Sequence, residues 1–352
     1  MGHQHSEEQG FDRPPFKSSY VTKSYHETTP FVVADVGGTN ARFGLLKPDG
    51  TGRPFSYDVS DIKTLPCEHY GSFQDCFLDY LSTVTAVRPR AGAIALAGPV
   101  IGDEFSMTNR GWRFSLSGLA AEVGLERVEA MNDFAAQAYS ILTLKKDQHT
   151  QIVEGAAAEN APKVVLGPGT GLGVAGLTHL NDKWNVLPGE GGHLRAAPVS
   201  PLAAEVIEYL TSRYQYVSYE RLLSGPGLVN IYQALLAIEG NTGRDITTAA
   251  QVSQNAANGE SALAMKAVRL FSETLASFAG DVAMLMGARA GVYIGGGIFP
   301  KLLPQIAISE FTSAFRSKGP MSHYLENIPV EVITGEYLAL HGAGAWLEQC
   351  LQ

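Results

Sequence analysis

The sequence predicts an α/β fold with mixed sheets flanked by helices, and three features predict it. Short apolar runs of strand length alternate with longer amphipathic runs, a glycine-rich turn joins two strands near residue 35, and a similar turn recurs near residue 167. Each turn reads as the tip of a hairpin, so the sheets are mixed and not purely parallel.

Residues 1–30 are polar, mixed in charge and aperiodic, which reads as a disordered arm. They lack the apolar core of a signal peptide, and Glu7, Glu8, Asp12 and Glu27 argue against a transit peptide. Order is expected from Phe31-Val32-Val33-Ala34-Asp35, a strand that runs into Val36-Gly37-Gly38-Thr39-Asn40 and returns along Ala41–Leu46. A helix over Gln74–Val87, buried strands at Ala91–Ala97 and Val128–Met131, and a helix over Phe134–Leu144 follow. The polar stretch Lys145–Thr150 marks a boundary between a domain at 31–143 and a larger one at 144–335. In the second domain, strands are expected at Lys163–Leu166, Val174–Thr178 and Gly291–Ile294. Helices are expected over Ser200–Tyr214, with Ser200 as N-cap and Pro201 in the first turn, and over Leu228–Ile238 and Glu260–Met286. A last helix covers Leu338–Gln349. The two glycine hairpins hint at a duplicated unit.

Glycine accounts for 38 of 352 residues, about 11% against a usual 7%, without a collagen period. A net charge of −9 and no basic run longer than Lys145-Lys146 argue against nucleic-acid or membrane-surface binding. No stretch has the length and hydrophobicity of a membrane span. Cys67, Cys76 and Cys350 show neither metal spacing nor an even count, which favours a reducing, cytoplasmic compartment.

In Asp35-Val36-Gly37-Gly38-Thr39-Asn40, glycines allow a positive-φ turn that presents bare N–H groups to an anion. Thr39 and Asn40 add donors, and Asp35 can hold a metal through water. An ordinary hairpin turn fits the same residues equally well. The turn Gly167-Pro168-Gly169-Thr170-Gly171-Leu172-Gly173 runs into Gly171-Leu172-Gly173-Val174-Ala175-Gly176, which matches the dinucleotide-type G-x-G-x-x-G. That motif requires a following helix, whereas Val174 to Trp184 reads as strand, turn, strand. A second phosphate clamp at Gly169, Thr170 and Gly171 fits better. Gly295-Gly296-Gly297 leaves room for a flat purine, or for close strand–helix packing.

Asn132 and Asp133 precede an apolar helix, so either is a helix cap, or Asp133 is a general base and Asn132 a hydroxyl-binding group. Glu190 and His193 stand among glycines that would let a polyol approach the backbone. Each is also an ordinary turn or structural residue, and no third ligand has zinc spacing. Glu220 reads as a helix first-turn carboxylate, and Asn109 as a loop residue near a small polar ligand. Together these groups suit a neutral molecule with many hydroxyls, such as a sugar.

With DVGGTN, MNDFAA, GPGTGLG, LPGEGGH, SYERLLSGPG and IGGGI in this order, residues 31–350 resemble the bacterial-type glucokinases of the hexokinase and actin superfamily. The resemblance implies a two-lobed actin-like ATPase fold of ribonuclease-H-like units, with ATP and glucose in the cleft between the lobes. It implies a terminal helix, about 336–352, that returns to the small lobe. Asp133 would be the base, with Asn109, Asn132, Glu190, His193 and Glu220 as sugar ligands. Asp35, Gly37, Gly38, Thr39, Asn40, Gly169, Thr170, Gly171, Gly295, Gly296 and Gly297 would face the nucleotide and its Mg²⁺. The implied reaction is ATP-dependent phosphorylation of glucose for glycolysis, and a homodimer is expected because dimers are common among metabolic enzymes. A kinase of another hexose and a non-catalytic sugar-responsive regulator keep many of the same residues. The cysteine-rich zinc motif of the related repressor and open-reading-frame kinases is missing.

Overall fold

The computed structural model describes residues 30–51, 53–84, 88–98, 100, 102–107, 111–240 and 246–351. The arm expected over residues 1–30, apart from Pro30, lies outside the described residues, as do Asn109 and residues 85–87 of the helix expected over 74–87, which ends at Thr83 with Val84 extended.

The first part of the chain forms β1 (Phe31–Val36), β2 (Asn40–Pro48), β3 (Tyr57–Pro66), α1 (Phe73–Thr83), β4 (Ala91–Leu96), a small β5–β6 hairpin (Glu104–Ser106 and Arg113–Ser115), α2 (Leu116–Val123), β7 (Arg127–Asn132) and α3 (Asp133–Ser140). The second forms β8 (His149–Val153), β9 (Lys163–Pro168), β10 (Leu172–Leu180), β11 (Lys183–Gly189), α4 (Pro201–Tyr214), α5 (Gly225–Ile238), α6 (Ala249–Ala257), α7 (Ala262–Met286), β12 (Val292–Ile294), α8 (Phe299–Leu302), α9 (Ile308–Arg316), β13 (Val330–Ile333) and α10 (Leu338–Leu351).

Two sheets with one plan result. The first runs β3-β2-β1-β4-β7 and the second β11-β10-β9-β12-β13, with β8 added at the β13 edge. In each, the first three strands in sequence are antiparallel, and the first then pairs in parallel with the fourth, as β1 with β4 and β9 with β12. The hinted duplication is therefore a duplication of topology, and both expected hairpins are present. The strand that follows Gly173 removes the dinucleotide reading. β10 turns at Asn181 and Asp182, both with positive φ (52° and 59°), and returns as β11.

Strand alternation divides the core. Val32, Ala34 and Val36 of β1 pack with α1 and α2, while Phe31 and Val33 face Leu340, Ala343 and Leu347 of α10. In β9, Val164 and Leu166 join the large core formed with α4 to α7, while Val165 packs with Tyr139 of α3 and Ala345 of α10. Helices α3 and α10 therefore lie between the two sheets.

Caps set the helix limits. Ser200 Oγ accepts the Ala203 N–H with Pro201 in the first turn, as the sequence predicts. Helix α5 starts three residues before the expected Leu228, because Ser224 caps it through the Gly227 N–H. Helix α3 ends at Ser140, short of the expected Leu144. There the chain tightens into i→i−3 hydrogen bonds from Ile141, Leu142 and Thr143. No helix among the described residues is long and apolar enough to cross a membrane.

Candidate active site

Strand β7 delivers Asn132 and Asp133 to the start of α3, and the two side chains divide the readings left open by the sequence. Asn132 is the cap: its Oδ1 accepts the Phe134 and Ala135 N–H groups at 2.9 and 3.2 Å, and its amide donates to Gly98 O at 3.2 Å. Asp133 remains on the cleft with Oδ1 accepting the Phe134 N–H at 2.8 Å. Burial pushes its carboxyl above the ordinary value, and the Phe134 N–H offsets part of that rise.

The next side chain fixes the joint between the sheets. A Cβ on Gly167 or Gly173 would come within 2.5 or 2.3 Å of the Phe134 ring. The ring therefore lies on bare backbone of β9 and β10, and this contact sets where Asp133 stands relative to the second hairpin.

Strands β1, β4 and β7 are parallel, so Asp35 and Asp133 sit at the same end of the first sheet. Burial raises the Asp35 pKa, the Arg42 guanidinium 3.7 Å away on β2 lowers it, and the Asp133 charge raises it further. In the adjoining turn, the Gly37 N–H reaches Asn40 O at 2.9 Å, and Cys67 donates its N–H to Thr39 O at 2.9 Å. The Cys67 thiol lies 3.7 Å from Gly37 O. The expected positive φ is not found at Gly37, where a Cβ would meet only Asn40 O at 3.7 Å, an ordinary contact. Thr39 and Asn40 are exposed.

The second and third turns form one cluster at the ends of the parallel strands β9 and β12. Gly169 donates to Gly171 O at 2.8 Å, and Gly225, opening α5, donates to Gly169 O at 2.7 Å. Gly295 donates to Leu166 O and Ile298 to Pro168 O. Gly296 needs to be glycine twice over: its φ is +77°, and a Cβ would stand 2.3 Å from Pro168 O. Gly297 and the exposed Thr170 face open space.

Glu220 departs from the helix reading. It lies in a 3₁₀ turn, Tyr219–Arg221, and its Oε2 accepts the Leu172 N–H at 3.0 Å, so one oxygen braces the second turn. A Cβ on Gly171 would be 2.6 Å from that oxygen.

Strand β11 ends at Gly189 and hands the chain to Glu190, Gly191, Gly192 and His193. The Glu190 and His193 side chains are 91% and 61% exposed, with Oε2 and Nε2 3.9 Å apart. The glycines between them do not open the backbone to a ligand, as the sequence suggested. A Cβ on Gly192 would strike Leu172 O at 2.1 Å, and one on Gly191 would press Val174 at 3.0 Å, so both let the loop lie against β10. Gly98, Asn132, Asp133, Gly173, Gly189 and Glu190 line a cleft of about 780 Å³. His193 and Glu220 are not among its lining residues: His193 reaches only the Glu190 carboxylate, and Glu220 braces the second turn.

Sequence reasoning missed Cys67, Phe134 and the bracing role of Glu220. Phe134 stands far ahead of Gly167 and Gly173 in sequence, so no local pattern links them.

Residues 32–350 match the family model for glucokinase. The chain is 39% identical over 321 residues, 91% of its length and 98% of the relative's, to the glucokinase of Saccharophagus degradans. A crystal structure of glucokinase from an Antarctic psychrotroph superposes with a TM-score of 0.85 at 37% identity, covering 92% of this chain and 99% of that one. At 20% identity and a TM-score of 0.58, a glucokinase of the repressor and open-reading-frame kinase family from Streptomyces griseus, solved with glucose and AMPPNP, shares the fold over 90% of this chain and 98% of its own. The chain belongs to the glucokinase family, whose members phosphorylate glucose.

Proposed function

We propose that the cleft between the two sheets transfers the γ-phosphoryl group of ATP to the 6-hydroxyl of D-glucose, with Asp133 as the general base. The observation that carries this reading is a half-buried carboxylate of raised proton affinity, facing a cleft whose opposite wall presents Glu190. Asp133 accepts the hydroxyl proton as the sugar oxygen attacks phosphorus, and positioning supplies most of the remaining rate. Glu190 and His193 bind sugar hydroxyls, with Asn132 holding the loop at Gly98 and Glu220 holding the second turn. The turns at Gly37–Asn40, Gly169–Gly171 and Gly295–Gly297 cradle the nucleotide, in line with the AMPPNP-bound relative. Asn109 keeps its place as a sugar ligand on the family resemblance alone.

Mg²⁺ fits the residues present. Asp35 and Asp133 are hard oxygen donors whose mutual repulsion a cation would relieve. Asp35 would hold it through water, and the ion would neutralise charge on the phosphoryl oxygens. Residues 31–143 with 336–352 form the smaller lobe and 144–335 the larger, a division supported by the separate sheets and by α10 lying on the first. A cytoplasmic site rests on three free cysteines, and a homodimer on how common dimers are among metabolic enzymes.

Replacing His193 with Ala leaves a sugar hydroxyl without its partner at a cost of about 1–3 kcal/mol. The glucose KM should rise several-fold or more in steady-state assays, and an unchanged KM would return His193 to a structural role. A coupled ADP-release assay over glucose, mannose, fructose and N-acetylglucosamine, with and without Mg²⁺, tests the whole reading. Glucose should give the highest rate, and only with Mg²⁺. A higher rate with another hexose would reassign the substrate, and glucose binding without ADP release would make the chain a regulator.

A further inference from the structure

Two adjacent polar residues near the chain's end, Glu348 and Gln349, are both only 6% exposed, which is unusual for such side chains and calls for a reason. They bond in opposite directions. Glu348 Oε2 accepts the Phe55 N–H at 3.0 Å and the Tyr57 hydroxyl, both from the segment that forms β3 of the first sheet. Gln349 reaches the second sheet: its Oε1 accepts the Trp184 N–H at 2.8 Å, and its Nε2 donates to Trp184 O at 2.7 Å.

Strand β11 is the edge of the second sheet, so its outer backbone groups have no strand partner. The Gln349 amide supplies both bonds to one residue, as a neighbouring strand would. Tyr139 completes the joint, donating its hydroxyl to the same Trp184 O at 2.8 Å and lying 3.3 Å from Gln349 Nε2.

What lies downstream gives the joint its meaning. Tyr139 is on α3, which begins at Asp133. Trp184 is on β11, whose extended chain ends beside Glu190, six residues and about 20 Å away at strand rise. We infer that Gln349 is a positioning residue: by fastening β11 to α3 and α10, it fixes the register of the sugar-binding loop at Glu190 against the base at Asp133. This inference rests on the sugar-kinase reading above, and it adds a residue that touches neither substrate.

The test compares Gln349→Met, which keeps volume and removes both bonds, with Tyr139→Phe, which removes one bond to Trp184 O. Tyr57→Phe, which acts on the first-sheet side of α10, serves as control. The unmodified chain is assayed first, so loss of glucose turnover there would count against the functional reading and not against Gln349. For Gln349→Met, the glucose KM is expected to rise at least fivefold, with the ATP KM within twofold of the parent. For Tyr139→Phe, a smaller rise of the same kind is expected. Tyr57→Phe should lower the melting temperature and leave the glucose KM in place. If Gln349→Met fails to fold, the Tyr139→Phe KM split decides. The inference is overturned if the folded variants keep the parental glucose KM, or if both KM values move together.

Discussion

Asp133→Asn is expected to lower kcat by about 10²–10⁴, the range of a general base, while glucose still binds. The substitution keeps the shape and the Asn132 cap, and removes the carboxylate that lines the cleft at the start of α3. Its pH behaviour follows from burial. The Asp133 carboxyl is raised in the folded chain, so the acid limb of kcat/KM should lie above the ordinary Asp value of about 3.9, and the variant should lose that limb. The sign for stability is the reverse of the usual carboxylate case. The folded state holds this proton longer than the unfolded state, so stability falls as pH rises from the unfolded value through the raised one. The Asp133→Asn chain should therefore unfold at a denaturant concentration equal to or above that of the parent at pH 7. Near-parental turnover, or a lower midpoint at pH 7 with intact activity, would remove Asp133 from the role of base.

Gly173→Ala should damage both fold and reaction. Its Cβ would stand 2.3 Å from the Phe134 ring, which Gly167 confines from a second position. The ring and the start of α3 must shift together. Overpacking of this kind costs about 1–3 kcal/mol, measurable as a lower denaturant midpoint. Because Phe134 follows Asp133 directly, kcat should fall as well, by about 10² if the carboxylate moves by 1 Å. Gly297→Ala gives the contrast in stability, since a Cβ there meets nothing within 4 Å. Equal midpoints for the two variants would show that the Phe134 contact does not set the joint.

Much of the frame was legible because it depends on local pattern. Continuous apolar runs at 31–36 and 163–166, each ahead of a glycine turn, announced the two hairpins, and Ser200-Pro201 announced α4. The helices α2 and α6 and strands β8 and β13 are short or carry few large apolar residues, so no period rose above the background. Helix α9 was missed although Phe311 and Phe315 are spaced to share a buried face. The site was less legible. Local sequence allowed either Asn132 or Asp133 to be a cap, and only the capping bonds separate them. Gly191 and Gly192 looked like ligand-facing residues because bare backbone reads the same whether sugar or Leu172 lies above it. Partners far apart in sequence, such as Glu220 with Leu172 or Gln349 with Trp184, leave no periodic trace at all.

A crystal structure of the chain with glucose and AMPPNP tests the central claim most directly. The account predicts glucose in the cleft, its 6-hydroxyl within about 2.6–3.2 Å of an Asp133 carboxylate oxygen, and Glu190 and His193 turned inward onto sugar hydroxyls. Glucose bound elsewhere, or a 6-hydroxyl directed away from Asp133 with the γ-phosphate analogue in place, would contradict it.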